Sequence, residues 1–180
     1  MKRGLLAVML VAVMAVSLLF PVAVLAANPV VTITVSAQTV AITNTQDTWV
    51  IGPVLVNAVV YFSATGAADP DYSQIENTGN VAVDVEIRGI DAEGGTYDWV
   101  LAAAAGDKIY QLYANSEAAP TTYNVEVMSA GYVDLCTNLA ATGSDKYVWS
   151  MEFTAPTIFD ALDTGADKIA TVTLVASIHV

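Results

Sequence analysis

The chain has 180 residues with 18 acids against 6 bases, a formal net charge of −12. A polyanion of this kind cannot neutralise a row of phosphates, which excludes nucleic acid as a partner. At 55% apolar residues it lacks the low hydrophobicity of a disordered chain, so one domain with a real core is expected.

The N-terminus is a leader. Met1-Lys2-Arg3 is a short basic start, residues 5–19 are densely apolar, and Val24 and Ala26 set small residues before a cut ahead of Ala27. That order is a secretory signal peptide over residues 1–26, a hydrophobic helix. Two other readings stand beside it. Residues 4–27 are long enough to span a bilayer uncleaved, since about 20 apolar residues suffice. A prepilin-type cut after Gly4 would instead leave a pilin-like subunit that keeps the apolar run as an assembly helix. All three place the chain from Asn28 onward outside the cytoplasm, because Lys2 and Arg3 hold the start inside. The expected location is extracellular, at the cell surface, with membrane contact only through an uncleaved leader. Loss of the leader removes Lys2 and Arg3, which takes the net charge from −12 to −14 and leaves Arg88, Lys108, Lys146 and Lys168 as the only bases.

Beyond the leader the apolar period is two. Candidate strands run over residues 30–35, 39–43 and 54–63. Val81, Val83, Val85 and Ile87 then alternate with Ala82, Asp84, Glu86 and Arg88, four branched side chains on one face and three charges on the other. Further candidates cover residues 97–101, 109–113 and 123–128. Tyr147, Trp149, Met151 and Phe153 alternate with Val148, Ser150 and Glu152, and the last run, residues 170–180, has Val172, Leu174, Ala176 and Ile178 on one side. Turn residues separate these runs, among them Gly52-Pro53, Asn77-Thr78-Gly79-Asn80, Glu93-Gly94-Gly95 and Ala141-Thr142-Gly143. Only residues 102–105 lean toward helix, too few to nucleate one. The pattern predicts an all-β fold, a single antiparallel β-sandwich of jelly-roll or Ig-like type over residues 27–180. Trp49, Trp99 and Trp149 recur at even spacing, but their flanks do not align, and they read as packing residues rather than a repeat.

Groups that carry chemistry are scarce. The one histidine, His179, falls on the outer face of the last strand, which removes histidine-based nucleophile activation and multi-histidine metal sites. The one cysteine, Cys136, permits no internal disulfide and no zinc-thiolate cluster, and it reads as a small buried apolar residue. No Gly-rich phosphate loop precedes a helix, and no Asn-x-Ser/Thr acceptor occurs. The acids remain. Most fall at outward strand positions or in turns, where solvated charge accounts for them. Asp160, Asp163 and Asp167 gather around Gly165 in one loop and form a calcium candidate, oxygen ligands on a loop suiting a hard cation, though without the EF-hand spacing. No enzyme and no other cofactor is expected.

Two phrases carry a resemblance. Ile75-Glu76-Asn77-Thr78-Gly79-Asn80-Val81-Ala82-Val83-Asp84-Val85 resembles the strand-turn-strand phrase of many prokaryotic surface sandwiches. Thr137-Asn138-Leu139-Ala140-Ala141-Thr142-Gly143, with the strand after it and Ala155-Pro156, is similar to the later half of the same domains. With the signal and the C-terminal strand, the chain resembles the TasA/camelysin class of secreted fibre proteins and their archaeal bundling-pilus relatives. Where that class has a Leu-x-Pro-Gly-Asp turn, this chain has Ile51-Gly52-Pro53-Val54. The resemblance implies a structural subunit of an extracellular filament or surface layer, a homopolymer in which each copy donates a strand to the next. Val31, Ile33 and Val35, alternating at the N-terminus that cleavage frees, are the assembly candidates. The same strand can equally close its own sandwich. The competing class is a module that binds carbohydrate or another cell-surface polymer, for which Tyr61, Tyr97, Trp99, Tyr110, Tyr113, Tyr123 and Tyr132 would supply stacking faces if exposed on one sheet.

The secreted protein is expected to begin at Ala27, which intact-mass measurement decides. A mass that retains residues 5–25 supports the anchor or pilin reading instead.

Overall fold

The structure, a computed structural model, describes residues 34–62, 72–115, 122–143, 145–159 and 166–180. Residues Ala37–Val180 form one compact unit; of the other, Met1–Ser36, the described part is residues 34–36. Residues 1–26, the expected leader helix, lie outside the described residues. Among those residues the fold is all β, with no helix, and none is long and apolar enough to cross a membrane.

Eleven strands are described: β1 (Ile42–Asn44), β2 (Val59–Tyr61), β3 (Ser73–Asn77), β4 (Val83–Gly89), β5 (Val100–Leu101), β6 (Ile109–Asn115), β7 (Tyr123–Glu126), β8 (Val133–Leu139), β9 (Lys146–Trp149), β10 (Met151–Thr154) and β11 (Val172–Ile178). They form three sheets, ordered β1-β3-β9, β2-β10-β6-β5 and β11-β4-β8, with β7 also paired to β6. Every strand pair is antiparallel except β5 with β6.

The alternation in β4 has the physical consequence expected of it. Val83, Val85 and Ile87 are fully buried while Asp84, Glu86 and Arg88 are half-exposed. One apolar cluster draws on all three sheets: Ile75 and Trp149 from the first, Leu112, Val125, Met151 and Phe153 from the second, Val83, Val85, Ile87 and Leu135 from the third. Each fully buried branched side chain contributes about 1.5–3 kcal/mol. In β11, Val172, Leu174 and Ala176 pack against this core, and Thr173, Val175 and Ser177 face out, the phase that the sequence predicts.

The run expected as one strand over residues 147–153 differs. Trp149, Met151 and Phe153 are buried as expected, but Tyr147 is half-buried and Ser150, expected to face out, is buried, because the chain changes sheet in the middle: β9 pairs with β3, β10 with β6 and β2. Ser150 is the crossing point. Its N–H donates to the Asn115 side-chain oxygen at 2.5 Å and its carbonyl accepts from the Asn115 backbone N–H at 3.3 Å. One asparagine thus satisfies both backbone groups of a buried residue that has left one ladder and not yet joined the next. Strands β3 and β8 complete the set.

Trp149 is 5% exposed, with its indole N–H donating to the Asn44 side-chain oxygen at 3.0 Å. Trp149→Ala should lower stability by about 3–5 kcal/mol in urea unfolding. An unchanged midpoint would mean that the indole faces solvent.

Candidate functional site

The two phrases that carry the resemblance meet in space. Asn77 ends β3 and is fully buried. Its side-chain amide donates to the Val81 carbonyl at 2.8 Å and to the Leu139 carbonyl at 3.0 Å, and its side-chain oxygen accepts from the Gly79 N–H at 2.9 Å. From the other phrase, the Gly143 N–H donates to the Asn77 carbonyl at 2.8 Å and the Thr142 N–H to the Gly79 carbonyl at 3.1 Å. Thr142 and Gly143 both have positive φ, 65°, the left-handed conformation that a tight turn of this kind requires.

The outer side of the same turn holds the incoming chain. Asn80 accepts from the Thr39 N–H on its side-chain oxygen and donates its amide to the Ala37 carbonyl, both at 2.7 Å. The Thr78 N–H donates to the Ala41 carbonyl at 2.9 Å, and the Asn80 N–H to the Thr39 carbonyl at 3.1 Å. A side chain at residue 79 would place its Cβ 2.2 Å from the Thr39 oxygen, so only glycine lets the segment lie this close. Residues 37–41 are thereby fastened to the body through backbone and amide groups, and β1 continues from them as an edge strand paired to β3.

Of the three assembly candidates, Val31 and Ile33 lie outside the described residues, and Val35 is 86% exposed and in no strand. Of the calcium candidates, Asp160 and Asp163 also lie outside; Asp167 is exposed. Among the described residues no three His, Cys, Asp or Glu side chains are grouped as metal ligands. Cys136 is half-buried, and burial pushes its thiol up to about 11, which makes it a poor nucleophile.

The seven rings do not form one row. Tyr110 is buried, its hydroxyl donating to the Ile90 carbonyl at 2.5 Å. Trp99 stacks on Phe159 with ring centres 5.2 Å apart, and Tyr97 lies under the Lys108 ammonium at 4.1 Å. Tyr132 lies under the Arg88 guanidinium at 5.7 Å. Tyr61, Tyr113 and Tyr123 do share a sheet, on β2, β6 and β7. Tyr61 and Tyr113 flank Glu152 of β10 in register, and the Tyr61 and Tyr123 rings are 5.3 Å apart, tilted by 31°. The Glu152 carboxyl is raised above its ordinary range by burial, against a hydrogen bond from the Tyr61 hydroxyl. Burial likewise raises the Tyr123 phenol, which the Ser150 hydroxyl partly offsets. Sequence reasoning missed Glu152 as a member of this group, because its partners come from strands distant in the chain.

His179 and Asp84 fasten the end of β11. The His179 ring nitrogen Nδ1 lies 2.8 Å from the Asp84 carboxylate, which also accepts from the Asn138 N–H at 2.8 Å. The Asn138 hydrogen bond is the largest cause that holds the Asp84 carboxyl below its ordinary value; slight burial opposes it and His179 adds to it. A carboxyl depressed in the folded state stabilises fully above its unfolded value of about 4, and that contribution is lost as the pH falls through the lower, folded value. The stability gap between wild type and Asp84→Asn should therefore close on acidification below about pH 4. A gap constant down to about pH 2 would show that the carboxylate charge contributes nothing there.

No protein-family model matches the chain, and no curated protein matches it.

Proposed function

We propose that the chain is a secreted structural protein of the cell surface, the subunit of an extracellular filament or surface layer, built on a single antiparallel β-sandwich and assembled by β-strand exchange. The observation that carries this reading is the contrast at the start of the described chain. Residues 37–41 are tied to the body by hydrogen bonds to Thr78 and Asn80, while Val35, only two residues earlier, is 86% exposed. An apolar alternation of Val31, Ile33 and Val35 directly ahead of a fixed root is suited to an open sheet edge on another copy.

Edges of the required kind are present. Among the described strands β1 pairs only with β3, and β11 only with β4. Neither carries a charged residue. A donor strand in register would bury three branched side chains, each contributing about 1.5–3 kcal/mol, while its backbone extends the acceptor's ladder.

Ile33→Asp tests the reading. It would bring a charge into the acceptor groove of a chain with only four bases beyond residue 26, and should stop polymerisation while leaving a soluble monomer with unchanged β-type circular dichroism. Unfolding of the variant would assign the strand to its own sandwich. Filaments that still form would assign the contact to another surface.

A further inference from the structure

The outer face of the sheet that contains β2, β10, β6 and β7 carries an ordered row. Reading across the register, Tyr61 of β2 neighbours Glu152 of β10, Glu152 neighbours Tyr113 of β6, and Tyr113 neighbours Glu126 of β7. Rings and carboxylates alternate. Inward neighbours in the same strands, Phe153, Leu112 and Val125, belong to the core, which fixes the row on the opposite face. Tyr61 is 41% exposed, and the Tyr123 ring stands against it. Strand spacing of about 4.8 Å sets Tyr61 and Tyr113 roughly 10 Å apart with Glu152 between them.

Its residues are only partly buried, and among the described residues no base pairs with its carboxylates. Arg88 and Lys168 lie over Tyr132 and Trp99, each at 5.7 Å, and Lys108 over Tyr97 at 4.1 Å. Lys146 pairs with Glu76 at 3.1 Å. These four are the only bases beyond residue 26. The state of Glu152 is shaped by burial and by the Tyr61 hydroxyl, with no cation among its causes. A partly desolvated carboxylate between aromatic rings attracts an organic cation twice, through its charge and through the ring faces.

We propose that the Tyr61–Glu152–Tyr113–Glu126 row binds a glycan that carries free amino groups, its sugar faces stacked on the tyrosines and its ammonium groups on the two glutamates. Rigidity selects the sugar over a basic peptide. A pyranose presents an apolar face and an amine in one fixed frame, whereas a lysine stem must give up its rotamer freedom to lie along the same row. An anionic polymer is excluded by the net charge of −12. The site does not depend on polymerisation.

Calorimetric titration of the purified protein with a glucosamine oligomer, the matching N-acetylglucosamine oligomer and an oligolysine of the same length tests this. The glucosamine oligomer should bind about tenfold or more tightly than either of the others, and Tyr61→Ala and Glu152→Gln should each weaken it by about tenfold. Tyr61→Phe, which keeps the ring, should weaken it less than Tyr61→Ala does. Tyr132→Ala, away from the row, should change nothing. Equal binding of the N-acetylated oligomer overturns the role of the ammonium. Equal binding of oligolysine overturns the glycan as occupant. Absence of binding, or equal loss in Tyr132→Ala, overturns the site. If Glu152→Gln fails to fold, Glu126→Gln on the rim replaces it, and unweakened binding in that variant overturns the proposal.

Discussion

The buried amide of Asn77 is the constraint on which the rest of the body depends. It lies where β3 ends, with no exposed surface, and three of its hydrogen bonds go to backbone groups of Val81, Leu139 and Gly79. A buried backbone carbonyl without a partner costs about 1–3 kcal/mol, so two such groups and one N–H share a single side chain as their solution. No apolar residue of similar size replaces it. The geometry also fixes register. Leu139 is opposite Val83 at the start of the β4–β8 pair, and the same amide that holds Leu139 sets how β4 leaves the turn. From Asn77 outward, the turn presents its backbone to two different segments, residues 142–143 on one side and residues 37–41 on the other. Core packing, chain entry and sheet pairing therefore meet at one residue.

Where the sequence was legible, burial followed a single period. Val83, Val85 and Ile87 alternate with charges, and the fold buries them in that phase. The same holds for Val172, Leu174 and Ala176, and for Trp149, Met151 and Phe153. What the period cannot express is a change of partner. Residues 149, 151 and 153 stay inward through Ser150, so the pattern runs on across the point where the chain passes between sheets; the signal for the break is the side chain of Asn115, 35 residues earlier. β3 was hard to see for a different reason. Its inward positions are Ser73, Ile75 and Asn77, two of them polar and satisfied by specific partners, so hydropathy alone makes the strand look like a loop. In β8 the register shifts near Cys136, and Asn138 takes a positive φ of 56°, which breaks the alternation in Val133–Leu139. The candidate site was legible only in its parts. Individual tyrosines can be named from the sequence, but the row with Glu152 and Glu126 exists because β10 lies between β2 and β6.

The bases are spent on the body's own surface. Three of the four beyond residue 26 lie over aromatic rings and the fourth pairs with Glu76. Lys146 and Glu76 join neighbouring strands β9 and β3, while Arg88 reaches from β4 to Tyr132 ahead of β8. Lys168 shows the arrangement most fully. Its ammonium lies near Trp99 and donates to the Gly94 and Tyr97 carbonyls, so one cation holds a turn that carries two glycines with positive φ. Among the described acids Glu76 pairs with Lys146 and Asp84 with His179, but acids outnumber bases 18 to 6 and give the chain one sign.

That one sign governs how copies can meet. Edge strands in soluble proteins are commonly guarded by charged residues, and here β1, β2 and β11 carry none. For β1 and β2 protection comes from shortness, three residues each; the seven-residue β11 has only the net charge of the chain, which opposes close approach. Over a Debye length of about 8 Å at physiological ionic strength, that opposition is screened, whereas backbone pairing and apolar burial at an edge are not. In the filament reading, association between copies is therefore carried by uncharged strands and regulated by the ions around them. A polymer that brings amines to the tyrosine–glutamate row would then do locally what salt does everywhere, by lowering the charge of one face and leaving the strand edges as they were.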